Sequence, residues 1–131
     1  MAKTPCPCGL PAPYADCCGS IHDGRTAATT AERLMRSRYT AFVVRDAPYL
    51  LRSWYSATRP RDLQLEDDIE WTGLEILNTT GGSPFHTEGT VEFRANYIAE
   101  GEPGNQQENS HFTREAGSWV YTGPASRAPG R

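Results

Sequence analysis

The chain has 131 residues, 22% of them charged and 37% hydrophobic, with a formal net charge of −3. That is one domain's worth of chain, able to bury roughly two-thirds of its unfolded surface, and its charge is too low for the disordered class. Its longest wholly apolar run, Ala41 to Val44, falls far short of the ~20 residues of a membrane span.

Residues 5–24 are rich in Pro, Gly and Cys, lack apolar periodicity, and read as a small knuckle. A helix follows. Thr29-Thr30-Ala31-Glu32 fits a capping box, with Thr29 as the cap and Glu32 bonding back to it. Leu34, Met35, Tyr39, Ala41, Phe42 and Val43 then form a helical stripe. Asp46 caps a second helix, and Pro48 keeps Ala47 outside it. That helix should reach about Trp54.

Residues 58–62 read as a loop, and the chain beyond Leu65 reads as strand. Ile69 and Trp71 alternate in one phase, Leu74 and Ile76 in the other, so Gly73 should sit at a β-bulge. Residues 78–84 form a loop by composition. Val91, Phe93, Ala95 and Tyr97 alternate with polar residues and mark the best strand. Residues 100–105 turn, and a long polar strand returns from Gln107 to Arg114. Ala116-Gly117 leads into a last strand, Ser118 to Thr122, with Trp119 and Tyr121 on one face; the tail from Pro124 should fray. Two helices before about four antiparallel strands make an α+β order, the helices covering one face of a curved sheet. The expected division is a knuckle over 1–26, an α+β domain over 27–123 and a tail over 124–131.

Charge divides unevenly. Residues 1–46 carry six basic and four acidic side chains, residues 47–122 five and twelve. The acidic body argues against broad DNA or RNA binding. Only the first third offers a basic surface, with Arg33, Arg36 and Arg45 expected to be exposed.

All four cysteines fall within thirteen residues, as Cys6-Pro7-Cys8 and Cys17-Cys18. Met1-Ala2-Lys3 leads into Thr, Pro and Cys rather than an apolar stretch, so no signal peptide is expected and the cytoplasm is the expected location. Disulfides rarely persist there, and a bridge between vicinal cysteines is strained. Four thiolates suit one tetrahedral Zn²⁺, and a site without a vacant position is structural. Cys6 and Cys8 can share an ion if Pro7 and Gly9 bend the chain. Cys17 and Cys18 can do so in the first turn of a helix, with Gly19 letting the backbone leave. His22 is the alternative ligand, and Tyr14 either shields the ion or simply packs. Lys3, Arg25 and the arginines of the first helix can offset the site's negative charge.

C-x-C-x₈-C-C with Gly9 behind the first pair resembles the SEC-C zinc motif at the end of the SecA translocation ATPase. Met35-Arg-Ser-Arg38-Tyr39-Thr-Ala41-Phe42, Trp54-Tyr55-Ser-Ala-Thr58-Arg59-Pro60, Val91-Glu92-Phe93-Arg94-Ala95, Glu108-Asn-Ser110-His-Phe112 and Trp119-Val-Tyr121 resemble the bacterial YchJ-type family. The resemblance spans residues 5 to about 123. It implies a zinc knuckle on a cone-shaped α+β domain of the nuclear transport factor 2 (cystatin-like) type, and it implies no reaction. Leu10 departs from the usual Ser of the motif, and His111 from the usual Arg after Ser110.

Arg38 lies in the apolar stripe between Leu34 and Phe42, and its nearest acidic candidates by type are Glu92 and Glu108. Cone folds of this class enclose a cavity, so the resemblance suggests one lined by Arg38, Tyr39, Trp54, Glu92, Glu108 and Ser110. It would be a small-molecule or anion site, or else a structural ion pair. His22, His86 and His111 are expected at the surface, and Glu66-Asp67-Asp68 as a solvated turn. Signatures of nucleotide-binding loops, serine hydrolases and zinc proteases are absent from the sequence. The leading expectation is a non-catalytic zinc protein that contacts another protein or ribosomal RNA through its knuckle. A ligand-binding or catalytic cone is the alternative, and redox sensing through exposed thiolates is a third.

Overall fold

The computed structural model describes residues 5–65 and 68–125. Lys3, Glu66, Asp67 and the tail beyond residue 125 lie outside the described residues. The elements in order are a 3-10 turn Tyr14–Asp16, then α1 Cys18–His22, α2 Ala31–Val44, α3 Ala47–Arg52, β1 Ile69–Gly81, β2 Glu88–Ala99, β3 Glu102–Glu115 and β4 Ser118–Pro124. The strands form an antiparallel meander in the order β1-β2-β3-β4. This is the expected α+β architecture, with both longer helices preceding the sheet.

α2 is the centre of the molecule. Its cap is Thr30, whose Oγ1 accepts from the Arg33 N–H at 3.0 Å. The cap therefore lies one residue later than expected, the third helical position is Arg33 instead of the Glu a capping box needs, and Glu32 pairs with Arg36 at 2.9 Å. Arg45 ends the helix in the left-handed region at φ 62°. On one side Leu34, Met35 and Tyr39 join Val91, Phe93, Ala95, Phe112 and Trp119 in the main core. On another, Ser37, Thr40 and Ala41 are also fully buried, because α3 and the knuckle cover them. α2 is thus a middle layer, buried on more sides than a surface helix with one apolar stripe.

Asp46 caps α3 by accepting from the Tyr49 N–H at 3.1 Å, and Ala47 is its first residue rather than an excluded one. Pro48 fits because the first-turn N–H groups have no partner within the helix. α3 stops at Arg52. The chain then joins the sheet edge, where Tyr121 N–H donates to Ser53 O at 2.9 Å and Tyr55 N–H to Tyr121 O at 2.8 Å.

The β-bulge between Trp71 and Gly73 is present, and a second separates Ile76 from Asn78. That second slip lets β1 run on through residues expected to loop, and the connection shrinks to residues 82–87. At the other end Glu100-Gly101 turns with both φ positive (52° and 80°), a two-residue hairpin matched to strand twist. β3 consequently starts at Glu102, earlier than expected. Ala116-Gly117 makes the same kind of turn, at 54° and 84°.

The β1–β2 connection is held by backbone contact. Gly82 O accepts from Ala31 N–H at 3.0 Å, which ties the loop to the start of α2. A Cβ on Gly89 would lie 2.5 Å from Gly82 Cα, whereas one on Gly101 would meet nothing. We therefore expect Gly89→Ala to cost more than about 2 kcal/mol by denaturant titration. Gly101→Ala, which carries only the left-handed backbone penalty, costs about 1 kcal/mol.

Candidate metal centre and the buried arginine cluster

The knuckle brings all four cysteines together. Cys6 N–H donates to Ala12 O at 2.9 Å and Gly9 N–H to Cys6 O at 3.1 Å, closing a tight turn with Gly9 at φ 99°. Cys17 and Cys18 arrive from the other direction, Cys18 being the first residue of α1. Gly19 is required there for a reason other than an exit turn: a Cβ would lie 2.7 Å from Tyr14 O. The four Sγ atoms all lie within 4.8 Å of one another, and Cys8 Sγ is 3.7 Å from Cys17 Sγ. Four sulfurs around one ion with bonds of ~2.3 Å stand about 3.8 Å apart. Donor type and spacing thus fit a closed tetrahedral Zn²⁺ site.

Electrostatics point the same way. Cys8 is held down at about 5, chiefly by the hydrogen bond from the Cys18 thiol. Cys18 is pushed up in consequence, and burial pushes Cys17 up. Sulfurs packed this closely cannot all ionise unless a cation shares the space. Thr40 Oγ1 lies 3.8 Å from Cys6 Sγ, and Arg33 Nη1 points at Cys18 Sγ from 3.9 Å. Arg36 donates to Cys8 O at 2.6 Å. Arg33 and Arg36 are therefore turned inward onto the knuckle, not displayed as a free basic surface. The thiols are not exposed either, which removes the premise of the redox-sensing reading: none of the four cysteines is more than 3% accessible.

His22 is buried, contrary to the surface position expected for it. Its Nε2 lies 2.8 Å from Ser37 O, and its Nδ1 2.8 Å from the Tyr14 hydroxyl. A carbonyl only accepts, so Nε2 carries a proton, and Nδ1 is hydrogen-bonded to Tyr14. With both nitrogens engaged away from sulfur, His22 is a strut between knuckle and α2. Arg52 adds another, donating to His22 O while its guanidinium lies 4.8 Å from the Tyr49 ring centre. His86 is exposed, and His111 bonds Thr122 and Glu88 on β4 and β2.

The six residues expected to line one pocket divide. Arg38 is buried and donates to Leu50 O at 2.8 Å and Ser53 Oγ at 2.6 Å. Its guanidinium sits between two rings, 4.6 Å from the Tyr121 centre and 5.1 Å from Trp54. The Tyr121 hydroxyl donates to Glu108 at 2.8 Å, and Ser110 donates to the same oxygen at 2.6 Å. Arg38, Trp54, Glu108 and Ser110 thus gather, but through Tyr121, which is not among the six. Burial lowers Arg38 to about 10, while the phenols of Tyr121 and Tyr49 and the Glu108 charge oppose that fall.

Glu92 lies elsewhere. It accepts from Gln107 at 3.0 Å on the outer face, because Val91 and Phe93 on either side of it point into the core. Tyr39 lines a separate cleft of about 380 Å³ with Met35, Phe42, Trp71, Phe93 and Tyr97.

Packed between rings and capped by backbone oxygen, Arg38 has the environment of a structural cation. Arg38→Ala should cost about 3 kcal/mol, since it takes the guanidinium donor from Leu50 O and empties the space between the Trp54 and Tyr121 rings. Glu108→Gln retains an acceptor for both hydroxyls and should cost about 1 kcal/mol or less by the same denaturant titration.

With this geometry the comparisons with known proteins agree. A family model described as the YchJ middle NTF2-like domain matches residues 30–124. A UPF0225 protein of Streptomyces coelicolor is 55% identical over 121 residues, 92% of this chain and 94% of the relative. One from Corynebacterium glutamicum is 48% identical over 117 residues, covering 89% and 93%. Among solved structures, a SEC-C motif containing protein from Rhodopseudomonas palustris superposes with a TM-score of 0.82 at 26% identity, over 95% of this chain and all (100%) of its own. The crystal structure of another, from Psychrobacter arcticus, gives 0.76 at 27% identity, covering 95% and 84%. The chain belongs to the YchJ (UPF0225) family: a SEC-C cysteine motif followed by an NTF2-like domain.

Proposed function

We infer that this is a zinc-binding interaction protein, in which one structural Zn²⁺ is held by Cys6, Cys8, Cys17 and Cys18 and the domain engages a protein partner rather than turning over a substrate. The carrying observation is the closed, buried set of four sulfurs within 4.8 Å. Four sulfur ligands leave no position for a substrate, and the ion supplies two positive charges against the thiolates. Reduced thiols of this kind belong in a reducing compartment, here the bacterial cytoplasm.

Support for a protein partner comes from the β1–β2 connection. Phe85 is 95% exposed at the tip of the β1–β2 connection. Its loop is not loose. Arg114 donates to Pro84 O and His86 O, each at 2.8 Å, and to Gly117 O at 3.0 Å, while its guanidinium lies 4.5 Å from the Trp119 ring centre. An exposed aromatic on a loop already ordered forfeits little entropy on binding, the property of an interface anchor. The acidic body and the inward Arg33 and Arg36 weigh against ribosomal RNA as the partner.

Protein purified without added metal should contain close to one equivalent of zinc by elemental analysis; a content far below one overturns the reading. Cys8→Ser should lower zinc content and melting temperature together, and expose residues 5–26 to protease. Phe85→Ala should leave the melting temperature within a degree or so and abolish capture of a protein partner from bacterial lysate. Unchanged capture by Phe85→Ala would locate the contact elsewhere.

A further inference from the structure

The cleft beside Tyr39 has features that neither the metal centre nor the arginine cluster uses. It opens between α2 and the end of the sheet where β1 begins and β2 ends. Its volume of about 380 Å³ falls within the ~300–1,000 Å³ of small-molecule sites. The floor is aromatic and already ordered. Trp71 packs against Tyr39, Phe42 and Tyr97 with ring centres 6.2, 6.1 and 5.4 Å apart and interplanar angles of 74°, 56° and 76°. Each of those three rings therefore meets Trp71 tilted or edge-on, which leaves the indole half-buried instead of stacked over.

Polar groups with no partner among the described residues complete the description. The indole N–H groups of the three tryptophans differ in their surroundings. Trp119 Nε1 donates to Thr29 O at 3.1 Å, and Trp54 Nε1 is buried without an acceptor. Trp71 Nε1 has no acceptor among the described residues and is not buried, so solvent reaches it. The Gln106 side chain at the cleft wall likewise makes no hydrogen bond to a described residue. The rim carries both signs of charge: Arg45 lines the cleft, and Asp68, Glu70 and Glu100 line the hollow that adjoins it. Arg45 in the cleft wall opposes a net cation there, and the three carboxylates of the adjoining hollow oppose a net anion.

We propose that this cleft binds an uncharged, fused-ring heteroaromatic molecule, laid against Trp71 with a ring acceptor taking the indole N–H. The inference stands on the cleft alone and is independent of the zinc reading. Stacking and apolar burial supply the affinity, and the N–H to acceptor bond supplies the orientation. A polynucleotide carrying the same kind of ring would bring phosphates against three carboxylates, so the free small molecule is the favoured source.

The test uses the full-length, zinc-loaded protein, ¹⁵N-labelled, titrated with quinoline. The indole region shows three cross-peaks, and that of Trp71 should shift saturably while that of Trp119 stays in place. Half-saturation on the order of 1 mM is the strength open to so small a ligand. N-methylquinolinium keeps the shape, adds a charge and removes the acceptor, so it should bind at least about fivefold more weakly. Ala95→Leu fills the floor, where Ala95 is 4% exposed, and should abolish saturation. Should that variant misfold, Trp71→Phe keeps the ring and loses the donor, and should weaken quinoline about fivefold when followed at the Ala95 amide. No saturable shift at Trp71, equal or tighter binding of the cation, or undiminished binding to Trp71→Phe would each overturn the proposal.

Discussion

The structure depends on α2 being covered on opposite sides. One side meets the sheet through Leu34, Met35 and Tyr39; the other meets the knuckle through Ser37, Thr40 and Ala41. The second contact is polar, and each polar group in it is answered: Ser37 O by His22, the Ser37 hydroxyl by Tyr49 at 2.6 Å, and Thr40 by the Cys6 sulfur. Such groups are expensive to bury alone and nearly neutral when paired. Removing the knuckle would therefore do more than expose a patch. It would leave Ser37 O and Thr40 without their partners, in a helix whose other side anchors the main core. The cysteines matter to the cone domain for this reason, although most of its sheet lies far from them in sequence.

This arrangement also explains why the knuckle is so polar and so rich in proline and glycine. A segment of some twenty residues cannot bury enough apolar surface to order itself. Its own apolar cluster consists of the four cysteines with Leu10, Ala12 and Tyr14. The Leu10 side chain, where the related motif has Ser, thus packs against the sulfurs, while its backbone N–H bonds to Cys8. The chain supplies struts from both sides: His22 and Arg25 from the knuckle, the latter donating to Ala15 O at 2.8 Å, and Arg33, Arg36 and Arg52 from the helices. Four thiolates around one Zn²⁺ would carry a formal charge near −2, and arginine donors beside the cluster suit that charge.

Much of this was legible in the sequence because it follows from local rules. The cysteine spacing, the bulge at Gly73, the Ala116-Gly117 turn and the alternation of Val91, Phe93 and Ala95 each follow from a few adjacent residues, and the structure contains them. The misreadings have a common cause in long-range pairing. Residues 78–81 look like loop by composition, yet Asn78 to Gly81 pair with Glu92 to Gly89, and the ladder, helped by two threonines, overrides the weak strand propensity of Asn78 and Gly81. His22 looks like a surface histidine until the Ser37 carbonyl, fifteen residues on, is brought against it. Charge type groups Glu92 with Arg38, whereas its alternation with Val91, Phe93 and Tyr97 turns it to solvent, and the structure follows the alternation. The signal for Tyr121 was present in Trp119-Val-Tyr121, but only the sheet edge formed by residues 53–55 shows why the ring lands beneath Arg38.

Arg38 and Trp71 show how similar materials serve opposite ends. Both lie among aromatic rings on the concave side, and both carry N–H donors. Around Arg38 the rings, Leu50 O and Ser53 close in until the guanidinium is 4% exposed, and Tyr121 separates its charge from Glu108. A cation so enclosed fixes the joint between α2, α3 and β4, and it has no free approach for a ligand. Around Trp71 the rings stop short, the donor stays open, and the wall opposite is a glutamine instead of a carbonyl. The difference arises from the chain after α3. Residues 53–55 bridge to β4 and seal the arginine side, whereas the described residues 56–65 beyond them form no strand. One end of the cone is thereby committed to stability, and the capacity to bind is left at the other.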